Sequence, residues 1–321
     1  MWAERSRRPN GAGCAEPRQT ALVSLNIAIA GDLHGQWDRH DALVLESAAA
    51  DALLVVGDLS DGDCRYAREL ADLTLPVACV LGNHDTGWDR SGGRLERQIA
   101  LLGERHCAWR SRGWSEPALA VVGARAGSAG GGFRVSPAVE AVYGPMSCQS
   151  SADRIIAAAL EAPLDQPLVL LAHCGPSGLG SEAADPCGRD WQRPARDWGD
   201  QDLSIAIHTI RRQRPVDLVV FGHMHHRLRR GGGTRRSLHV DRSGTAYINA
   251  ACVPRHQRDP AGNSLHHFSW ARFESGALSE LSHRWYDRSG RLLYRESLLN
   301  RPPDAPRART TASPATGSRH L

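Results

Sequence analysis

Short apolar runs and longer amphipathic segments alternate along the first third of the chain. The apolar runs are rich in aliphatic residues, as buried strands are, and the segments between them have the apolar spacing of helices. An order of strand, helix and strand predicts βαβ units with a mostly parallel sheet. The predicted pairs are strand Asn26–Ala30 with helix Arg39–Ala50, strand Ala52–Val56 with helix Cys64–Leu73, and strand Pro76–Leu81 with helix Arg94–Leu102.

The same alternation continues through the middle of the chain and changes after residue 236. Further strands are predicted at Ala118–Gly123, Leu168–Ala172 and Asp217–Phe221, with one helix capped by Ser150 or Ser151 and another near Leu203–Arg212. Later apolar runs are short and separated by turns, which predicts a second, largely antiparallel layer. Its strands are expected at Ser237–Val240, Thr245–Asn249, His266–Glu274 and Leu278–Tyr286.

Four regions lack a regular hydrophobic period. Residues 1–24 and 301–321 are rich in Pro, Arg, Ser, Thr and Ala, so we predict disordered tails around one domain at 25–300. The glycine-rich stretch Gly127–Gly132 matches neither a G-x-G-x-x-G turn nor a P-loop, and we expect a mobile loop. Residues 174–202 form a long excursion, typical of a lid, a binding loop or a disordered segment.

Composition narrows the class of protein without naming a function. The 321 residues are 41% hydrophobic, which is enough for a substantial core. The eight cysteines include no C-x-x-C pair, so reduced thiols are expected rather than disulfides or a zinc knuckle. The first twenty residues hold no apolar signal region, and no run reaches the roughly 20 apolar residues of a membrane span. We therefore expect a cytoplasmic protein that does not enter a membrane.

The net charge of +4 comes from the two ends of the chain, because both tails carry more arginines than acids. Every basic residue is an arginine, and this indicates a general coding bias rather than a nucleic-acid footprint, which would cluster. One cluster brackets residues 222–226. It is either a solvated face or a surface that attracts an anionic substrate. Its members are Arg211, Arg212, Arg214, Arg227, Arg229, Arg230, Arg235 and Arg236.

Five short segments place Asp, Asn or His at the ends of apolar runs, most of them led by glycine. Strand ends gathered along one sheet edge are where open α/β folds build their sites. Oxygen and imidazole donors without thiolate suit Mn²⁺, Fe or Zn²⁺, and two such ions about 3.5–4 Å apart activate a shared water and clamp a displacement at phosphorus. The sequence thus predicts a two-metal hydrolase. The segments are Gly31–Gly35, Gly57-Asp58, Gly82–Asp85, Ala172-His173 and Gly222–His225.

This order of motifs resembles the calcineurin-like metallophosphoesterase superfamily, whose pattern is D-x-H, G-D, G-N-H-D/E, a lone H and then G-H-x-H. The resemblance covers about residues 26–250 and implies an α/β fold, a four-layer α/β/β/α sandwich with mixed sheets. It also implies two divalent metal ions, Mn, Fe or Zn, as cofactors. Position by position, it assigns Asp32, His34 and His225 to one ion, Asn83, His173 and His223 to the other, and Asp58 to a bridge between them.

The resemblance also assigns the residues that act on the substrate. His84 matches the histidine that stabilises the transition state or protonates the leaving oxygen, and Asp85 is expected to orient its ring. The protein-phosphatase branch carries an arginine in G-D-x-x-D-R-G, whereas here Gly62 follows Asp61, so that branch is disfavoured. The segments His173–Gly180 and Cys187–Trp191 are instead similar to those of a bacterial branch, cyanobacterial with plastid relatives.

Two functions of different classes follow from these residues. The first is hydrolysis of a phosphomonoester or phosphodiester by a hydroxide that bridges the metal ions, with a small-molecule or nucleotide substrate; a nuclease is a variant of it, and nucleic acid is the weaker partner. The second is a scaffold with a structural metal site. Arg189 and Asp190 are expected to form a structural salt bridge rather than to contact substrate. Of the histidines outside the motifs, only His226 lies beside proposed ligands. The sequence does not fix the substrate or the oligomeric state.

Overall fold

Three βα units begin the part of the chain that the computed structural model describes, residues 24–302. Asp38 starts the first helix with a capping box, because its side chain accepts from His40 N while the Asp41 carboxylate accepts from Asp38 N. The prediction of parallel βαβ units is confirmed here. The strands β1 (Ser24–Ala30), β2 (Ala52–Val55) and β3 (Val77–Cys79) pair in parallel and precede helices α1 (Arg39–Ser47), α2 (Cys64–Ala71) and α3 (Gly93–Leu102).

A second sheet is built from the middle of the chain, with the order β4-β5-β6-β7-β9-β8. Its strands are β4 (Ser111–Trp114), β5 (Leu119–Gly123), β6 (Leu168–Cys174), β7 (Leu218–Gly222), β8 (Leu238–Val240) and β9 (Ala246–Asn249). Helices α4 (Pro137–Tyr143), α5 (Cys148–Glu161) and α6 (Gln201–Ile210) lie between them in sequence. The cap of α5 is Ser147, not Ser150 or Ser151, because the Ser147 side chain accepts from Ser150 N.

The last strands join the first sheet, so the prediction of a separate antiparallel layer is wrong. Strand β11 pairs antiparallel with β1, with Ile27 opposite Ala271, and the first sheet has the order β13-β12-β11-β1-β2-β3. Strand β9 lies parallel to β7 in the other sheet. A strand's own pattern gives its burial but not its partner. The added strands are β10 (His256–Arg258), β11 (Ser264–Glu274), β12 (Ala277–Tyr286) and β13 (Leu292–Asn300).

Alternate residues of the strands enter two different apolar layers. Ile27 and Ile29 of β1 pack in one cluster with Val169 and Leu171 of β6, so this cluster lies between the two sheets. The intervening residues of the strands, such as Ala28, pack instead with buried residues of the helices. Side chains of period two therefore build a sandwich of helices, two mixed sheets and helices. The predicted four-layer α/β/β/α fold is confirmed in its mixed sheets.

The glycine-rich loop predicted to be mobile is tied down by hydrogen bonds. Gly131 N donates to Trp198 O at 2.6 Å, and the Trp198 indole Nε1 donates to Ala129 O at 2.9 Å. Beneath the loop, the buried Arg125 pairs with Asp200 at 2.6 Å. The φ angles of Gly127 and of residues 130–132 are positive, which is the reason this turn needs glycine.

Other expectations concern the chain as a whole. The predicted tails lie outside the described residues, apart from Ser24 in β1 and residues 301–302. The seven cysteines at positions 64, 79, 107, 148, 174, 187 and 252 are free thiols, as expected for that part of the chain. Among residues 24–302, no helix has the length and apolar character needed to cross a bilayer.

Candidate metal centre

The carboxyl ends of strands from both sheets bring the predicted ligands together. Asp32 and Asp58 follow β1 and β2, while Asn83 follows β3 in the first sheet. His173 lies at the end of β6, and His223 and His225 follow β7 in the second sheet. The site therefore spans the edge where the two sheets meet.

One cluster holds Asp32, His34 and His225, whose donor atoms lie within 4.8 Å of one another. His34 Nε2 is 3.2 Å from His225 Nε2, and His225 Nε2 is 3.4 Å from Asp32 Oδ2. Asp32 is fully buried, and its carboxylate also accepts from the His223 amide at 3.0 Å. One carboxylate and two imidazoles facing one point form a donor set that suits Mn²⁺, Fe or Zn²⁺.

The second cluster holds Asp58, His173 and His223 within the same limit. Asn83 Oδ1 joins it, 3.0 Å from His173 Nε2. The other ring nitrogen, His173 Nδ1, donates to the Val56 carbonyl at 2.8 Å, which leaves Nε2 to face the cluster. The structure therefore brings the four predicted residues of this group together.

Asp58 lies between the clusters. Its Oδ2 is 3.4 Å from His173 Nε2 and 3.9 Å from His34 Nε2, so one carboxylate oxygen faces ligands of both groups. Its Oδ1 accepts from the His84 amide at 2.9 Å, which fixes the carboxylate plane. A bridging role for this carboxylate fits the geometry, and the residues present fit a pair of divalent cations.

The backbone is strained where the ligands are. Of the residues described, seven that are not glycine have a positive φ, and four of them are predicted ligands. Such conformations cost about 1–3 kcal/mol each and persist at sites where the surrounding structure enforces them. The four ligands are Asp32, His34, Asp58 and His223.

Two of the motif glycines are required by close contacts with the ligands. A Cβ at Gly222 would lie 2.1 Å from Asp32 Oδ1, and a Cβ at Gly82 would lie 2.2 Å from Asp58 Oδ1. Neither distance is possible for a side-chain carbon. These glycines therefore let the carboxylates pack directly against the neighbouring strand end.

The electrostatics of the site favour ionised carboxylates. Burial, the largest single effect, would raise the pKa of Asp58, but His173, His223 and His84 together hold the pKa below its usual range. Burial opposes protonation of His173, yet Asp58 raises the pKa of this histidine to about 10. Burial and the neighbouring His173 together lower the pKa of His223 to about 4. The two carboxylates at this point thus attract a cation strongly.

His84 lies beside the clusters, but its ring partner differs from the prediction. His84 Nδ1 is 2.8 Å from Asp61 Oδ1, so Asp61 orients the ring. Asp85, expected in that role, is buried, and its carboxylate accepts from the amides of Leu59 at 2.7 Å and Gly82 at 2.7 Å. The prediction for Asp85 is wrong, because this residue ties two ligand loops together instead. Asp61 follows Asp58 of the G-D motif by three residues, but spacing in the sequence alone does not identify it as the partner of His84.

A cleft of about 250 Å³ opens over the clusters. Asn83, His84, His223 and His225 form its floor, and Trp191 and Trp198 from the 174–202 excursion line it. That excursion therefore forms part of the wall of the cleft. No signal in the sequence indicated that these two tryptophans, rather than other residues of the loop, would face the ligands.

The arginine cluster divides into structural and exposed members. Arg211 pairs with Asp241 at 2.7 Å, and Arg214 donates to the Ala162 carbonyl at 2.7 Å. Arg235 is buried and donates to carbonyls of the excursion, while Arg236 pairs with Asp185. The other members are the exposed Arg212, Arg227, Arg229 and Arg230.

Arg189 and Asp190 have structural partners, though they do not pair with each other. Asp190 is 3.4 Å from Arg235, and Arg189 donates to the Pro194 carbonyl at 2.7 Å. His226 is likewise structural, because its Nε2 lies 2.9 Å from the Asn249 carbonyl oxygen and its ring packs against His283. None of the three belongs to the metal clusters found among the described residues.

Comparison with known proteins agrees with this geometry. Residues 25–227 match the family model described as calcineurin-like phosphoesterase, which is more than half of the chain. The chain therefore belongs to the calcineurin-like phosphoesterase family and is a metal-dependent hydrolase of phosphoesters. Among curated proteins, none matches this sequence.

Solved structures resemble the chain at low sequence identity. TT1561 of Thermus thermophilus has a TM-score of 0.48 and 14% identity, covering 87% of this chain and 100% of its own. A dimetal phosphatase from Danio rerio has a TM-score of 0.49 and 13% identity, covering 86% and 99%. A third structure reaches a TM-score of 0.51 at 11% identity, covering 83% and 100%. This last likeness concerns the fold alone.

Proposed function

We propose that the two clusters hold two divalent metal ions and that the protein hydrolyses a phosphomonoester or phosphodiester above them. The observation that carries the proposal is the position of Asp58, whose Oδ2 faces His34 of one cluster and His173 of the other. When bound there, two Mn, Fe or Zn ions supply positive charge that activates a water and stabilises the phosphate oxygens.

The side chains of this protein hold and orient the reacting groups. Asp32, His34 and His225 form the first set of donors, while Asn83, His173 and His223 form the second. A neutral amide at Asn83 keeps the negative charge of the donor set low, which favours binding of a phosphate anion.

His84 has a separate role in the proposed reaction. Its Nδ1 bonds Asp61, so Nε2 is the nitrogen that can donate a proton to the leaving oxygen. The ring is half exposed at the cleft, where a substrate can reach it. The buried Asp85 supports the reaction indirectly, by holding the loops that carry Asp58 and Asn83.

The direct test is release of p-nitrophenol from p-nitrophenyl phosphate and bis-p-nitrophenyl phosphate. We expect activity that disappears with EDTA and returns with Mn²⁺. Wild-type activity in an Asp58→Asn protein would contradict the proposal. Bound metal without hydrolysis of either ester would favour the scaffold instead.

A further inference from the structure

One wall of the cleft above the metal centre is formed by residues that lie outside the ligand motifs. Trp191 and Trp198 come from the 174–202 excursion, and Arg227 and Arg229 come from the segment after His225. Two aromatic rings and two exposed cations thus line this cleft, together with the buried ion pair of Asp190 and Arg235. Its volume of about 250 Å³ suits a small ligand rather than a folded protein.

Trp191 is held in place but not fully covered. Its ring packs against Trp198 with centroids 5.1 Å apart and planes at 79°. Trp198 is itself fixed, because its Nε1 bonds the Ala129 carbonyl and the Arg196 guanidinium stacks over its ring at 4.6 Å. Both rings are half-buried, so Trp191 is a preorganised aromatic surface at the cleft. Flat aromatic groups such as nucleobases stack on surfaces of this kind.

Arg227 and Arg229 differ in exposure from Arg235 nearby, which is buried. Arg227 and Arg229 are exposed, and neither forms an ion pair with a carboxylate among residues 24–302. The Arg229 guanidinium lies 5.9 Å from the Trp191 ring centroid. A cation without an acidic partner beside a phosphate site favours a further anionic group on the ligand.

We propose that this cleft selects nucleotides with a second phosphate, so that the substrate is a nucleoside diphosphate or a related pyrophosphate. The proposal rests on the metal-dependent hydrolysis at phosphorus proposed above and extends it from an ester to a phosphoanhydride substrate. The base stacks on Trp191, Arg227 and Arg229 bind the phosphate that stays with the nucleoside, and the terminal phosphate lies over the metal ligands. Water forms a bond to the terminal phosphorus, the bond from that phosphorus to the bridging oxygen breaks, and the products are a nucleoside monophosphate and phosphate.

The experiment compares kcat/KM for ADP, AMP and glycerol 2-phosphate with Mn²⁺ present. AMP adds a nucleoside to a simple monoester, so the ratio of AMP to glycerol 2-phosphate reports the contact with the base. ADP adds a second phosphate and also replaces the ester bond by an anhydride, so the contact with the arginines is measured by how the ADP to AMP ratio changes between the wild type and the variants. The variants are Trp191→Leu, which removes the ring, and Trp191→Phe, which keeps a ring. The double variant Arg227→Ala/Arg229→Ala removes the cations, and Arg230→Ala is the matched control because this exposed arginine does not line the cleft.

In the wild type, we expect kcat/KM to rise about tenfold from glycerol 2-phosphate to AMP and again to ADP. Trp191→Leu should remove most of the AMP to glycerol 2-phosphate ratio, and Trp191→Phe should retain it. The double arginine variant should remove most of the ADP to AMP ratio, and Arg230→Ala should leave both ratios unchanged.

The experiment distinguishes failure of the substrate assignment from failure of the phosphoesterase function. If the wild type hydrolyses glycerol 2-phosphate and both ratios stay the same in every variant, the substrate assignment is overturned while the phosphoesterase function stands. If the wild type hydrolyses either p-nitrophenyl ester but none of these three compounds, only the substrate assignment is overturned. If it hydrolyses none of the five compounds, both proposals are overturned. Circular dichroism spectra matching the wild type verify that each variant is folded, and a ratio between substrates does not depend on the amount of active protein.

Discussion

The imidazole of His84 holds its Nδ1 2.8 Å from Oδ1 of Asp61, a carboxylate three positions after the proposed bridging ligand Asp58. Both side chains are largely exposed, and His84 lines the cleft, whereas Asp85, the immediate neighbour of His84, is buried and bonds backbone amides instead. The proposed proton donor is thus oriented by a residue from another loop. Its free nitrogen is Nε2, which is available to the substrate.

This arrangement predicts how the loss of Asp61 depends on the leaving group. p-Nitrophenolate leaves without a proton, whereas an alkyl alkoxide needs one, so a residue that orients the proton donor matters more for alkyl esters. For Asp61→Ala, we expect kcat to fall about tenfold with an alkyl phosphate and less with p-nitrophenyl phosphate. His84→Ala should show the same selectivity with a larger loss, about 10²-fold. The measurement is kcat for the two esters with each variant.

Glu69→Ala is the control for this prediction, because Glu69 pairs with Arg65 on the surface of α2 and does not line the cleft. Asp61→Asn should recover part of the activity, since an amide oxygen can still accept from Nδ1. Equal losses for both esters would mean that Asp61 supports the loop rather than the proton donor.

The metal ligands could be predicted from the sequence because local features of the chain determine their positions. Five of the seven ligands directly follow an apolar run or a glycine, and His34 and His225 come two residues after such a ligand. Strand ends and tight turns therefore identify the positions, and the family pattern supplies their order. Gly222 illustrates the point, because its missing side chain makes room for the carboxylate of Asp32 and the requirement is visible as a G-H-x-H motif. The alternating strands and helices up to α3 were predictable for the same reason.

The features that could not be predicted depend on partners distant in the chain. The pairing of β11 with β1, the contact of His84 with Asp61 and the seating of Trp191 against Trp198 all depend on how loops and sheets meet in space. The burial of individual arginines could not be predicted from the sequence either. Arg235 and Arg227 are indistinguishable in the sequence, yet one is buried among carbonyls and the other is exposed at the cleft.

The position of Asp58 predicts a change in metal content. Because its carboxylate faces both clusters, Asp58→Asn removes one negative charge that both proposed ions share. We expect the wild type to bind about two ions per chain and the variant to retain one or fewer after gel filtration, measured by inductively coupled plasma mass spectrometry. Asp63→Asn, which alters a helix cap away from the clusters, is the control and should keep the wild-type content. Two tightly held ions in the Asp58 variant would rule out the bridging role.

The close approach of Gly222 to Asp32 predicts a metal-binding defect from a single added methyl group. In Gly222→Ala, the new Cβ would lie 2.1 Å from Asp32 Oδ1, so the carboxylate must move away from His225. We expect metal affinity to fall about 10- to 100-fold, measured by titration of the metal-free protein with Mn²⁺. Gly113→Ala is the matched control in a strand, because its nearest neighbours are 3.9 Å from the added carbon. Equal affinities for the two variants would contradict the assignment of Asp32 as a ligand.

A cluster of three histidines next to the metal centre, two of them fully buried, predicts the response of the fold to acid. His226, His267 and His283 pack ring against ring, with His283 4.9 Å from His226 and 5.2 Å from His267. Burial, with a contribution from His226, lowers the pKa of His283 to about 3, from 6.5 for a histidine in water. Burial also places the pKa of His267 well below that value. These rings are therefore neutral in the folded protein at neutral pH.

The sign of the effect follows from proton binding. Between about pH 6.5 and pH 3, the unfolded chain protonates His283 and the folded chain does not, so stability falls as the pH falls through this window. Each such group contributes a slope of about 1.4 kcal/mol per pH unit.

In His283→Gln, the free energy of unfolding should be lower at pH 7, because ring packing is lost, but should decline less steeply below pH 6.5. Urea unfolding of the metal-free protein at a series of pH values measures both quantities. His208→Gln, at an exposed position on α6, is the control and should keep the wild-type slope. A His283→Gln slope equal to that of the wild type would show that another group governs acid unfolding.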